Sequence, residues 1–264
     1  MIIDAHAHIF PSKIAEKAVA GIGKFYSELT MEMDGTVDTL IENGKKNGIE
    51  KFVVQSVATT PAQVQSINDF IAESVNEHPD ELIGFATLHP DYPDLGDEIA
   101  RAVNMGLKGI KLHPDFQRFN IDCDKAMELF KLIEGKLTVL IHMGDYRYEF
   151  SKPKRLARVM DKFPALKVIG AHFGGWSEWK DAEDCLAGRE NLWVDTSSSL
   201  YAMEPERAKE LIDKFGADKV LFGTDFPMWE ASAELERFNR IPLTEEEREM
   251  ILHGNAEKLL EINN

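Results

Sequence analysis

The chain has 264 residues, enough for one large domain, and 44% of them are hydrophobic, an ordinary share for a protein with a packed core. Acidic residues outnumber basic ones 46 to 30, and the net charge of −16 excludes nucleic acid as an expected partner. No apolar run approaches the roughly 18 residues of a membrane span, so no membrane association is expected.

The amino terminus lacks the basic start of a secretory signal. Cys123 and Cys185 lie far apart and form no CxxC pair, so a cytoplasmic protein with reduced thiols is expected. Short β-branched runs then recur along the chain. They are MIIDAH (1–6), KFVVQSV (51–57), LIGFATL (82–88) and KGIKLH (108–113), followed by LTVLIH (137–142), KVIGAH (167–172), NLWVDT (191–196) and KVLFGTD (219–225). The runs are apolar on both faces, as in parallel strands covered by helices. Helical patterns separate them, for example at 122–135, 152–163 and 205–216. The first gap is the longest. It holds helical stretches near 11–21 and 37–48, with residues between them that read as a loop over one end of the sheet. After the eighth run, residues 244–262 read as two closing helices around Gly254.

Eight strands joined by crossovers of β-α-β size predict a (β/α)8 barrel, the TIM-barrel architecture, as a single domain over residues 1–264. The competing open doubly wound sheet lacks its usual glycine-rich phosphate loop here.

The polar residues cluster where such a barrel carries chemistry, at strand carboxyl ends. His6 and His8 end the first strand, Lys111 and His113 the fourth, His142 the fifth, His172 the sixth and Asp225 the eighth. Residues i and i+2 share a strand face, so His6 and His8 can aim two imidazoles at one point. Asp225 has a second reading, as the cap of the following helix. Taken as a set, imidazoles and a carboxylate suit one divalent ion, zinc first, with manganese, iron, cobalt or nickel able to use the same donors. Such an ion lowers the pKa of its water toward about 7. His172 is then placed to orient that water or move its proton, and Asp225 to accept it.

The HxH on strand one, the histidines ending strands five and six, FPALKVIGAHFGG at 163–175 and VLFGTDFP at 220–227 together resemble the amidohydrolase superfamily of metal-dependent barrels. The likeness is to its amidohydrolase-related branch, which also contains amino-carboxymuconate-semialdehyde decarboxylase and similar non-oxidative decarboxylases. The resemblance implies that His6, His8, His142 and Asp225 bind the metal and that His172 is the acid/base. In binuclear relatives a carboxylated lysine on strand four bridges two ions, and Lys111 lies on that strand. The KLHP context of Lys111 looks more like the mononuclear branch, so one ion is expected.

Lys111 and His113 share a face and either hold a substrate oxygen or form a buried structural pair. The loop after strand five carries Arg147, which can clamp a carboxylate through paired hydrogen bonds. Trp176, Trp179 and Trp229 either wall a pocket for a planar, cyclic or aromatic substrate or pack the loops. Hydrolysis of an amide, ester or lactone of a small carboxylate-bearing molecule is the expected reaction. Decarboxylation of an unsaturated or aromatic acid at the same site is the alternative. The family's decarboxylases hold the substrate carboxylate with basic residues, partly from a neighbouring subunit, and no matching arginine stands out here. A catalytically silent, metabolite-binding barrel would need a broken ligand set, and all four residues are present. The expected partner is a small molecule, and a homodimer is compatible with the sequence.

Overall fold

A computed structural model describes residues 1–27 and 31–262. Eight parallel strands follow one another around a barrel in chain order: β1 (Ile3–His8), β2 (Lys51–Gln55), β3 (Leu82–Thr87), β4 (Gly109–Leu112), β5 (Thr138–Ile141), β6 (Val168–Gly170), β7 (Leu192–Asp195) and β8 (Val220–Leu221). Closure comes from backbone donors: Ala5 N–H to the Phe222 carbonyl, Asp225 N–H to that of His6 and His8 N–H to that of Phe226, at 2.7–2.8 Å. The (β/α)8 architecture expected from the sequence is therefore present.

Helices α1 (Ser12–Phe25), α2 (Val37–Asn47), α3 (Val64–Glu77), α4 (Leu95–Asn104), α5 (Pro114–Gln117), α6 (Asp124–Ile133), α7 (Pro153–Lys162), α8 (Trp179–Leu186), α9 (Pro205–Phe215) and α10 (Ala231–Asn239) lie between or after the strands. Their ends follow local chemistry. Thr39 N–H donates to the Thr36 hydroxyl at the start of α2, and Gly48 ends it in the left-handed region, φ +76°. Proline opens α5, α7 and α9, where its missing N–H costs nothing. The expected break at Gly254 does not occur. Gly254 has helical backbone angles, and α11 (Glu245–Glu249) runs through a π-helical turn into α12 (Asn255–Leu260). Of the stretch read as a loop over the mouth, residues 28–30 lie outside the described residues.

Strand periodicity builds two layers inside the barrel. Val53, Phe85, Leu140, Ile169 and Leu221 pack together as an apolar floor, with Ala256, Leu259 and Leu260 of α12 joining them. Two residues further on stand Gln55, Thr87 and, just past the end of β5, His142, and Asp195 follows Trp193 in the same way. All four are buried polar groups. The alternate residues, among them Val54, Ile110, Val139, Val168 and Val194, face the surrounding helices in a separate core. The fold thus sets a polar layer directly on an apolar one, at the carboxyl end of the sheet.

Candidate metal centre

In that polar layer three donors converge. His6 Nε2 lies 3.2 Å from His8 Nε2 and 3.4 Å from Asp225 Oδ1, and His8 Nε2 lies 3.6 Å from the same oxygen. Donors about 2.0–2.2 Å from an ion at tetrahedral angles stand roughly 3.4 Å apart. The triangle therefore fits a single cation. Burial, reinforced by the Lys111 ammonium, holds His6 and His8 well below the usual imidazole range, so both are neutral, the form that ligates.

The geometry is set from behind. Asp195, at the end of β7, places Oδ2 3.0 Å from His6 Nδ1. Its Oδ1 accepts from the His172 and Ser197 N–H groups and from the Ser197 hydroxyl. A proton on Nδ1 facing the carboxylate leaves the Nε2 lone pair of His6 toward Asp225. Burial pushes Asp225 up to about 7, against the pull of Lys111 and a 2.5 Å hydrogen bond from Ser198 Oγ. Lys111 Nζ sits 2.7 Å from His6 Nε2, and burial lowers it to about 8 against the opposing charges of Asp225 and Asp195.

The other two histidines form a second pair. His142 Nδ1 is 3.0 Å from His172 Nε2, while His172 Nδ1 is 2.9 Å from the Ser197 carbonyl. The His142 ring stacks on His113 at 3.9 Å, which stacks in turn on Phe116 at 3.9 Å. His142 Nε2 is buried with no hydrogen-bond partner and lies 3.7 Å from Asp115 Oδ2. The structure thus brings His6, His8 and Asp225 together and sets His142 beside His172, His113 and Asp115. All these rings and Lys111 border one cavity of about 20 Å3, with His6 and His172 stacked at 5.2 Å. His172 and Asp225 both have left-handed backbone, φ +61° and +62°, which turns their side chains in from beyond the strand ends.

The residues read as substrate contacts are differently placed. Arg147 does not offer a free fork: Nε and Nη2 hold the buried Asp145 carboxylate at 2.9 and 2.6 Å, and Nη1 donates to the Phe25 carbonyl at 2.8 Å. Its plane is packed among Phe25, Tyr26, Tyr148 and Trp176. Trp176 meets Tyr26 edge-on at 5.4 Å, near His142. Trp179 Nε1–H donates to the His172 carbonyl, and that of Trp229 to Ser198 Oγ, so both tie loops to the site. The loops after β5 and β6 approach closely at Gly144, φ +81°, where any side chain would strike the backbone of Gly175. His113 is not a free ligand either. Its Nδ1 accepts from Phe116 N–H, and its Nε2 is 3.1 Å from the Tyr26 hydroxyl.

Asp195, Ser197, Ser198, Asp115 and Tyr26 are absent from the sequence-derived site. The VDTSSS run carried the signal for the first three, since it ends β7 in polar residues just as GTD follows β8. Tyr26 arrives from the end of α1, which no strand-end rule reaches.

A parallel barrel with imidazole and carboxylate donors converging at its carboxyl end defines a metal-site enzyme scaffold. The chain matches the family model described as amidohydrolase over residues 3–262 and belongs to that family. It is similar to the gamma-resorcylate decarboxylase of a Polaromonas species, 24% identical over 91% of this chain and 92% of that one. In fold it is similar to 5-carboxyvanillate decarboxylase from Sphingomonas paucimobilis, with TM-score 0.78, 16% identity and 99% coverage of both chains. It is also similar to the dihydroxybenzoic acid decarboxylase from Polaromonas with bound manganese, with TM-score 0.77, 20% identity and coverage of 100% and 97%. The expectation of hydrolysis is overturned by these matches, because the curated relative aligned along the chain is a decarboxylase. The donor set misled because it serves both reactions equally well. No helix among the described residues is long and apolar enough to cross a membrane.

Proposed function

We propose that the protein is a metal-dependent, non-oxidative decarboxylase of a small aromatic or conjugated carboxylic acid. The observation that carries this reading is one buried cavity shared by His6, His8, Asp225, Lys111 and His172, in a chain similar along its length to a resorcylate decarboxylase. His6, His8 and Asp225 would hold one divalent ion, and His142 is the fourth donor we assign to it. When bound, the ion supplies positive charge that fixes and polarises the acid's oxygens. The donors suit zinc, and manganese is the ion of the Polaromonas decarboxylase structure.

The chain's own groups account for the rest. Decarboxylation adds a proton at the carbon bearing the carboxylate, and the C–C electron pair stays with that carbon as carbon dioxide leaves. Lys111, buried in the same cavity 2.7 Å from His6 Nε2, offers an ammonium donor to the acid's carboxylate. Burial penalises the anionic carboxylate and not neutral carbon dioxide, so water exclusion favours the forward step. His172, pushed down to about 4 by burial, is a neutral imidazole whose Nδ1–H donates to the Ser197 carbonyl. Its Nε2 faces His142 Nδ1 at 3.0 Å, and we assign His172 and Asp225 to relaying a solvent-derived proton to the carbon that loses carbon dioxide. The stacked wall of His113, Phe116 and Tyr26 suits a planar ring. Cys123 and Cys185 are unpaired, which supports a cytoplasmic setting.

The test is incubation of protein purified without chelator with a panel of hydroxybenzoates and conjugated acids, following carbon dioxide and metal content together. One mole of carbon dioxide per mole of acid consumed is expected. Acid consumption without carbon dioxide, or inert protein at full metal occupancy, overturns the assignment.

A further inference from the structure

Beside the cation-site cavity runs a groove of about 670 Å3 between α1 and α3. Ile14, Ala18, Gly21 and Phe25 form its α1 wall. They are spaced i, i+4, i+7 and i+11, one apolar stripe of a helix. Ile67 and Phe70 of α3 face that stripe across the groove. An apolar stripe ordinarily packs on a neighbour, yet here it borders open space and Ile14 is 51% exposed. The groove is not separate from the site. His8, Ile22 and Phe116 border both spaces.

The sizes of the two spaces are complementary. The cation-site cavity, about 20 Å3, is little more than the roughly 10–15 Å3 that admits a single water. It takes a carboxylate head at most. An acid held there by its carboxylate must project outward, and the groove's volume falls within the roughly 300–1,000 Å3 of small-molecule sites.

We propose that this groove seats a hydrophobic substituent, an alkyl chain or a second ring, of the acid whose carboxylate is held in the cation-site cavity. The inference rests on the decarboxylase reading and narrows its substrate class to acids with an apolar extension. Gly21 supplies the test. A Cβ there meets nothing within 4 Å, so Gly21→Leu can place its side chain in the groove, and it raises helix propensity.

The experiment is titration calorimetry on the metal-loaded protein with 2-hydroxybenzoates carrying straight chains of one to six carbons. Two series are run, with the chain at ring position 4 or 6. In at least one series affinity rises about threefold to fourfold per methylene, and in Gly21→Leu the rise flattens. Affinity independent of chain length in both series overturns the proposal, and so does an equal rise in wild type and variant. Carbon dioxide release is followed on the same compounds. Chain-length dependence without any release sinks the decarboxylase reading and leaves the groove assignment standing. Release with no chain-length dependence does the reverse.

Discussion

Asp195→Asn isolates the orientation of His6 from its identity. The native carboxylate takes three hydrogen bonds on Oδ1, from the His172 and Ser197 N–H groups and the Ser197 hydroxyl, and faces His6 Nδ1 at 3.0 Å with Oδ2. An asparagine has one acceptor oxygen, and the three donors claim it. Its NH2 then points at His6 Nδ1, which must accept. The imidazole proton moves to Nε2, the atom 3.2–3.4 Å from His8 and Asp225, and the lone pair needed for a cation is lost. Loss of such an orienting partner weakens metal binding about 10- to 100-fold, or roughly 1.4–2.8 kcal/mol. Competition with a fluorescent chelator measures the affinity for zinc and for manganese. Nitrogen NMR of the imidazole reports the tautomer, a readout that a merely structural role would leave unmoved. Affinity within twofold of wild type in a folded variant, with Nδ1 still protonated, would refute the reasoning.

Further outcomes follow from other parts of the molecule. His8→Ala should lose both metal and turnover, whereas His172→Ala should keep metal and lose turnover; metal analysis beside carbon dioxide release separates them, and activity in either variant counts against the assignments. Burial raises Glu234 on α10 from 4.5 to about 7, opposed by Arg237, so the folded state binds its proton more tightly than the unfolded chain. Its contribution is present below about pH 4.5 and is lost as pH rises to about 7, by at most about 3 kcal/mol. Glu234→Gln should therefore gain on wild type in urea melts at pH 8 and not at pH 5, and parallel pH profiles would contradict this. Gly44 on α2 lies against the Phe52 ring, with no room for a side chain. Gly44→Ala should destabilise by about 1–3 kcal/mol, and an unchanged melting temperature would show that the helix shifts freely.

Much of the barrel was legible because its strands are written as β-branched runs whose last residues change abruptly to polar ones. Val53 followed by Gln55, or Leu140 followed by His142, carries both layer and direction in two positions. His172 and Asp225 show where that reading stops. They lie beyond the last residues of β6 and β8 in left-handed backbone, so strand parity does not determine where they point. The setting of His142 was not legible either, since its ring stacks on His113, a contact across strands that no single run contains. Arg147 was read as a substrate clamp, yet Asp145 two residues earlier is buried and takes its fork first. The reaction itself was least legible, since the same donors polarise an ester carbonyl or a carboxylate.

The stacked layers have a consequence for how this chain can change. The floor of Val53, Phe85, Leu140, Ile169 and Leu221 determines whether the barrel closes, and the donors above it determine what the mouth can bind. Because each donor sits on a finished platform, exchanging one leaves the scaffold's own closure intact. Inserting or deleting a single residue within a strand does the opposite, rotating an aliphatic group into the mouth and a donor toward the outer helices. New chemistry is thus reachable by substitution at the rim, while indels are confined to the connections.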